Sequence, residues 1–432
     1  MIILLLLTFL FFFFRPVSAV SDRPFLIGWF ASVNGQQKLA EFSQKGMNLV
    51  MPYHTESAGL NIIRGYLDEA QEQGIKVMLD LEDNSYRDGT RSFEQSIGWA
   101  RSIVQNFKDH PAVYGWYLAD EPELHQPQTS AENRIEYYQI IKSLDSQNYG
   151  AVVHWARPYS EYTEAYDILM NDWYPRDCKL PSTGKCSGSN DLGEFNYMVR
   201  YSYDIWKQGI AFARQNEKAG YIAVAWAQDY TRGNFKEGDR DLTRPEFRYH
   251  VYTALVQGVD GILFWWEPWS GNYVKDLVYG ITKEIQSIGV QMNNGWTNNP
   301  QITVNQSADN LVYRYGVDGN SHVILAVNIS GHSNNQNVRP ETVGQKLTGV
   351  RFQLPANLST NQVRVLNENR TIPVVNNSFV DNFERYQVHI YEFDFEPELI
   401  DEMDLAALLF SWNTLSSPKS ELQVLLNSWT TR

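Results

Sequence analysis

The chain reads as α/β: a closed (β/α)8 TIM barrel followed by a C-terminal antiparallel β-sandwich and a short helical tail. Three observations predict this. Between Phe25 and Trp269, eight short runs rich in β-branched and aromatic residues alternate with longer stretches whose apolar residues recur at helical spacing. Such a count fits a single barrel of roughly 250 residues. After Trp296 the texture changes to Asn, Ser, Val and Gln with apolar residues in period two, the pattern of antiparallel strands with one wet face. Finally, no run is followed by a G-x-G-x-x-G or G-x-x-x-x-G-K loop, the phosphate cradle of the competing doubly wound sheet.

Taken in order, residues 1–14 are an almost unbroken apolar run, followed by Arg15 and by Val17, Ser18 and Ala19. This reads as a secretory signal, residues 1–19, cut after Ala19, although no positive charge precedes the run. It is too short to span a bilayer comfortably, so we expect a secreted or cell-surface protein with no integral membrane span after cleavage. The barrel is assigned to 20–297, with strands in Phe25–Ser32, Met47–Tyr53, Ile75–Leu81, Val113–Ala119, Gly150–Trp155, Asp167–Trp173, Tyr221–Ala227 and Gly261–Trp266. Helices fall in segments such as Leu60–Gln73 and Phe93–Phe107. The only two cysteines, Cys178 and Cys186, are spaced for a disulfide that staples a small loop; zinc would need more ligands nearby.

The β-sandwich is assigned to 298–395, with strands expected in Leu311–Tyr315, His322–Asn328, Arg351–Leu354 and Gln387–Phe393. In the tail, 396–432, the segment Asp404–Trp412 (DLAALLFSW) recurs as Glu421–Trp429 (ELQVLLNSW), which predicts two short amphipathic helices. The pair resembles the helical halves of a dockerin-type module, which implies a weak dockerin-like partner. No D-x-[DN]-x-[DN]-G calcium loop precedes either helix, which puts calcium binding in doubt and makes a plain helical hairpin packed on the sandwich the preferred reading.

The net charge of −14 argues against nucleic acid or an anionic membrane as partner, since either would want a basic face. Aromatic residues make up 14% of the chain, with 13 Trp and 25 Tyr, so where those rings cluster becomes the informative question. Barrel enzymes place their active sites at the C-terminal ends of the strands, and here those ends carry a consistent mixture. They supply Tyr53 and His54; Asp80, Glu82 and Asp83; Asp120 and Glu121; His154 and Trp155; Asp172, Trp173 and Tyr174; Trp226, Gln228 and Asp229; and Trp265, Trp266, Glu267 and Trp269. Flat rings suit the C–H faces of sugars, and carboxylates and amides suit vicinal hydroxyls. A phosphate site would show Arg, Lys and backbone nests. A zinc site would show clustered His, and only eight histidines are present. No metal and no cofactor is expected. Asp80, Glu82 and Asp83 read as a solvated loop, and His54 and His154 read as hydrogen-bonded packing residues more than as catalysts.

Within this rim, Val113–Glu123 (VYGWYLADEPE) is the sharpest signal. A buried-strand run ends in Asp120, Glu121 and Pro122, and Pro122 cannot extend a ladder. A carboxyl beside Trp116 and Tyr117 loses solvation, so its neutral form is favoured and it can act as a general acid near neutral pH.

The segments Pro111–Pro122, Asp172–Pro175 (DWYP), Val224–Gln228 (VAWAQ) and Arg244–Trp265 resemble a group of glycoside hydrolases related to the large clan of retaining (β/α)8 glycosidases. The resemblance spans roughly residues 23–290. In that clan the acid/base is a Glu ending strand four, commonly preceded by Asn, and the nucleophile is a Glu ending strand seven. The resemblance therefore implies Glu121 as acid/base. Asp120 replaces the Asn, and Gln228 stands where the nucleophile is expected; an amide cannot attack an anomeric carbon. Glu267 is the first choice for the second carboxylate, Asp229 the second and Asp172 the third. Asp120, His154, Asp172, Tyr174, Gln228 and Tyr53 are expected to bind hydroxyls or line the site, and Trp226, Trp265 and Trp266 to stack on sugar. The expectation is an exported glycoside hydrolase cleaving an oligo- or polysaccharide, the alternatives being a non-catalytic carbohydrate-binding barrel and a cell-surface interaction protein.

Overall fold

The computed structural model describes residues 24–34, 38–53, 55–82, 84–155, 157–174, 192–228, 241–289, 302–330, 345–356, 358 and 360–394. The signal segment, His54, Asp83, Cys178, Cys186, Asp229 and the tail repeat lie outside these residues.

Eight strands close a parallel barrel in sequence order: β1 (Leu26–Ser32), β2 (Leu49–Tyr53), β3 (Lys76–Asp80), β4 (Val113–Asp120), β5 (Tyr149–Trp155), β6 (Ile168–Trp173), β7 (Gly220–Trp226) and β8 (Gly261–Trp265). β1 and β8 pair through Leu26↔Gly261 to Trp29↔Phe264. The strands are near-continuous apolar runs because a parallel sheet is covered on both faces. Alternate residues fill the lumen, among them Phe30, Met51, Met78, Val153, Met170 and Val224, while the intervening ones pack outward on the helices. At Gly28 a Cβ would lie 1.7 Å from the Leu49 carbonyl oxygen, so β1 and β2 approach as closely as they do only because that side chain is a hydrogen.

The outer layer holds α1 (Leu39–Gln44), α2 (Leu60–Glu72), α3 (Asn84–Arg87), α4 (Phe93–Phe107), α5 (Ala131–Leu144), α6 (Leu192–Gln215), α7 (Arg244–Leu255) and α8 (Asn272–Gln286). Local sequence sets several starts. Ser92 with Gln95 forms a capping box on α4, and Thr243 with Glu246 forms one on α7, where Pro245 occupies the first turn. One departure from a uniform repeat stands out: β5 and β6 are linked by a 3-10 segment, Ser160–Ala165, in place of an α-helix.

Two antiparallel sheets follow. The five-stranded one has the order β10 (Leu311–Asp318), β11 (Ser321–Asn328), β16 (Val388–Asp394), β13 (Gln362–Val365), β14 (Arg370–Pro373). The three-stranded one has the order β15 (Ser378–Phe383), β12 (Leu347–Gln353), β9 (Thr303–Val304). Their shared core centres on Phe352, Phe379 and Tyr391, the two Phe rings stacking at 4.8 Å. The larger sheet packs on α7, joining Val323, Leu325, Val388 and Ile390 to the barrel's outer core. Arg248 Nη1 donates to the Val388 carbonyl at 3.0 Å, and Arg314 Nη2 donates to that of Gln257 at 2.7 Å. Among the described residues no helix is long and apolar enough to cross a membrane.

Candidate active site

The mouth of the barrel is organised by an irregularity in β4. Its pairing with β5 runs Tyr117↔Ala151 and then Ala119↔Val152, so one residue is skipped. Leu118 and Ala119 both face the outer layer, and Asp120, opposite Val153, returns to the lumen. Arg134 of α5 donates Nη1 to the Leu118 carbonyl at 3.2 Å, which holds the irregular turn. Glu121 then adopts a left-handed backbone, φ 44° and ψ 54°, while its N–H donates to the Val153 carbonyl at 3.0 Å. A non-glycine residue in this region costs of order 1–3 kcal/mol and persists only where its surroundings fix it. Here the consequence is directional, because the turn keeps the Glu121 carboxyl at the mouth beside Asp120.

Asp120 is anchored from three sides. Tyr117 donates to Oδ1 at 2.6 Å, Tyr53 donates to Oδ2, and the Arg87 guanidinium lies 3.6 Å from Oδ2. Arg87 also donates to Glu82 Oε2 at 3.3 Å, and Arg134 Nη2 stands 3.8 Å from Glu82 Oε1. Asp80 Oδ1 in turn accepts the Glu82 N–H at 2.9 Å. Glu82 is fully buried, and burial first, then the neighbouring Asp120 charge, pushes its carboxyl up to about 8. Tyr53 and Tyr117 are pushed well above the ordinary phenol range, mainly by burial and next by Asp120, and so remain neutral donors.

Across the mouth, Glu121 and Asp172 share a hydrogen bond, and Tyr174 donates to Asp172. Burial raises the Glu121 carboxyl strongly, and the charges of Asp172, Asp120 and Glu123 raise it further. Asp172, also buried, is raised by desolvation, with the bonds from Glu121 and Tyr174 acting against that rise. Ionising both carboxyls of a pair in contact is strongly disfavoured, so near neutral pH the pair holds one proton, which the stronger upward push on Glu121 favours there. Aromatic rings form the opposite wall. Trp265 stands edge-on to Phe30 at 5.0 Å and to Tyr53 at 5.2 Å, and Trp266 meets Tyr53 at 5.8 Å. Trp226 packs on Tyr174 at 4.8 Å, and Gln228 is buried just past β7.

Several expected roles are redirected. Glu267 is engaged by two lysines. The chain turns in a 3-10 segment, Glu267–Trp269, and the Glu267 carboxylate accepts from Lys38 Nζ at 2.6 Å and from Lys275 Nζ at 2.6 Å. Its charge also raises Tyr66 and Tyr279 of the outer layer. His154 likewise faces outward, because it alternates with the lumen residue Val153. It is fully buried among Tyr159, Tyr162 and Tyr166, with Nδ1 on Glu123 Oε2 at 2.7 Å. Asp80 and Glu82, expected in a solvated loop, are buried beneath the site. Three contributors went unanticipated. Arg87 and Arg134 carry no local signal. Glu123, by contrast, stands in the same D-E-P-E run; it ties the Glu121 turn to β5 by accepting from the Trp155 N–H at 2.7 Å.

The fold and this carboxylate- and tryptophan-lined mouth define a (β/α)8 barrel with a C-terminal β domain, an architecture found among solved glycoside hydrolases. The fold is similar to that of a glycoside hydrolase family 5 protein from Bacteroides vulgatus, with a TM-score of 0.55 and 10% identity over 87% of this chain and 93% of that one. A further glycoside hydrolase gives a TM-score of 0.56 and 10% identity over 86% and 93%. An Anoxybacillus α-amylase gives 0.50 and 11% identity over 85% and 91%. No family model and no curated protein matches the chain.

Proposed function

We propose that this chain is an exported glycoside hydrolase in which Glu121 protonates the departing glycosidic oxygen of an oligo- or polysaccharide. The observation that carries the reading is the Glu121–Asp172 pair, a carboxyl kept protonated at the mouth of a barrel lined by Trp265, Trp266 and Tyr53. Asp172 holds the proton on Glu121 and Tyr174 orients Asp172. Tyr53, Trp265 and Trp266 offer ring faces to sugar, and Gln228 and Trp226 close the β7 side. Asp229 stays the candidate for a second carboxylate at that side.

Gln228 favours one rival, a carbohydrate-binding barrel without catalysis. Reducing-end release across a glycan panel, measured beside binding on the same panel, separates the two. Release supports the hydrolase, and binding without release supports the rival. Export and the Cys178–Cys186 staple belong to the same proposal. They predict a mature N-terminus at Val20 and no free thiol; an unprocessed or thiol-reactive secreted product would contradict them. The barrel (20–297), sandwich (298–395) and tail (396–432) limits, and a docking role for the tail, are tested by removing residues 396–432. Retained release with lost surface attachment fits the docking role, and unchanged attachment refutes it.

A further inference from the structure

The site presents a proton donor but no evident enzymic nucleophile among its described residues. The strand ends carry Asp80, Glu82, Asp120, Glu121, Glu123, Asp172 and Glu267. Of these, Asp80, Glu82, Asp172 and Glu267 are buried to 2% exposure or less, and the Glu123 side chain is only 6% exposed. Glu267 is neutralised by two lysines, Glu123 is committed to His154 and the Trp155 N–H, and Glu82 is committed to two arginines. Asp172 touches Glu121 directly. A nucleophile acting with an acid stands about 5–5.5 Å from it, and a base that activates water about 6.5–9.5 Å, so that sugar or water fits between. A pair already in hydrogen-bond contact leaves no such gap. At β7, Gln228 offers an amide.

Asp120 is the remaining carboxylate among the described residues, and its surroundings suit a different task. It is 19% exposed at the mouth and adjacent in sequence to the proton donor. Two tyrosine hydroxyls donate to it, and the Arg87 guanidinium lies 3.6 Å from Oδ2. Each carboxylate oxygen accepts two hydrogen bonds, so Oδ1, which among the described residues accepts from Tyr117, retains capacity for another. Beside it the partly exposed rings of Trp265 and Trp266, packed on the buried Tyr53, present apolar surface. An anion that accepts an N–H, next to a ring cluster that covers a methyl group, is complementary to an acetamido substituent.

We infer that the substrate is a 2-acetamido-2-deoxyhexoside and that its own acetamido carbonyl oxygen is the nucleophile, with Asp120 accepting the acetamido N–H. This rests on the reading of Glu121 as proton donor. In the first step the Glu121 O–H proton passes to the glycosidic oxygen. The C1–O bond breaks with its electron pair leaving on that oxygen, and the acetamido oxygen bonds to C1. The positive charge that develops on the amide is balanced by the Asp120 carboxylate. In the second step water bonds to C1 and gives its proton to the Glu121 carboxylate. The bond from C1 to the acetamido oxygen breaks, and the amide is restored with net retention at C1.

The test uses the full-length chain and aryl glycosides of gluco and galacto configuration, in both anomers, bearing 2-acetamido, 2-trifluoroacetamido or 2-hydroxyl groups. The account expects release from one acetamido glycoside and more than about tenfold slower release from its trifluoro analogue, whose carbonyl is the poorer nucleophile. It further expects no release from the 2-hydroxyl series and competitive inhibition by the matching thiazoline sugar. Comparable release from 2-hydroxyl glycosides, or a 2-fluoro sugar trapped on an enzyme carboxylate, overturns this inference and leaves the hydrolase reading standing. Release from neither series overturns both.

Discussion

Replacing Asp172 with Asn is the most informative perturbation of the proton-holding pair. Asp172 supplies the largest charge effect on Glu121 after burial itself. In hydrogen-bond contact the two carboxyl charges lie about 4 Å apart, which corresponds to about 4 kcal/mol at an effective dielectric near 20. At about 1.4 kcal/mol per pH unit that is up to about 3 units, and partial solvent access to Glu121 reduces it to about 2. Removing the charge stabilises the ionised form of Glu121, so the midpoint for loss of its proton moves to lower pH. The carboxyl C=O infrared band that disappears in Glu121→Gln reports this proton without any substrate, and its pH titration in Asp172→Asn is the assay. A midpoint lowered by about 2 pH units fits the account. An unchanged or raised midpoint refutes the idea that Asp172 holds the proton.

Three further outcomes follow from the same geometry. Activity requires the pair to carry one proton, so we expect a bell-shaped rate profile. Its acid limb reflects a second proton arriving at Asp172 and its alkaline limb the loss of the Glu121 proton; a profile without an alkaline limb would contradict this. Because the fold raises Glu82, Glu121 and Asp172 together, their stabilising contribution is present below the ordinary carboxylate range. It is lost as pH rises, for Glu82 through about 8. Urea midpoints should therefore fall from about pH 5 to about pH 9, and Glu82→Gln should flatten that dependence. Finally, removing both Lys38 and Lys275 strands the buried Glu267 charge and should cost about 3–5 kcal/mol in urea unfolding. Glu267→Gln, in contrast, should keep catalytic turnover; loss of turnover in that variant with stability intact would restore a catalytic role to Glu267.

The barrel was legible because every one of its strands is buried on both faces and so reads as an apolar run. β13, β14 and β15 went unread: Gln362–Val365 and Arg370–Pro373 are short and half polar, and their strand character comes from pairing with neighbours. The motif at Glu121 was legible for a local reason, a strand stopped by Pro122. What sequence could not show is which way each side chain faces. His154 is one residue from a lumen position and therefore points outward. Asp120 recovers the lumen only through a skipped residue in β4, and Glu121 stays at the mouth through a left-handed turn. The acidic run at Asp80 and Glu82 looked solvated because its neutralising partners, Arg87 and Arg134, come from α3 and α5. The partners of Glu267 were hidden for a similar reason, since Lys38 and Lys275 meet it only when the barrel closes.

The central claim is that Glu121 donates the proton to the leaving group, and leaving-group dependence tests it most directly. The first-turnover rate of glycosidic bond cleavage by Glu121→Gln should be compared with that of the parent chain on a natural glycan and on an aryl glycoside of the same sugar with a strongly acidic phenol. An oxygen that leaves readily needs no proton, whereas an alkoxide does, and general acid catalysis contributes about 10²–10⁴-fold. The account predicts a loss of that size on the natural glycan, with the aryl-glycoside bond still broken at close to the parent rate and sugar binding retained. Equal losses on both substrates, or no loss on either, would contradict it.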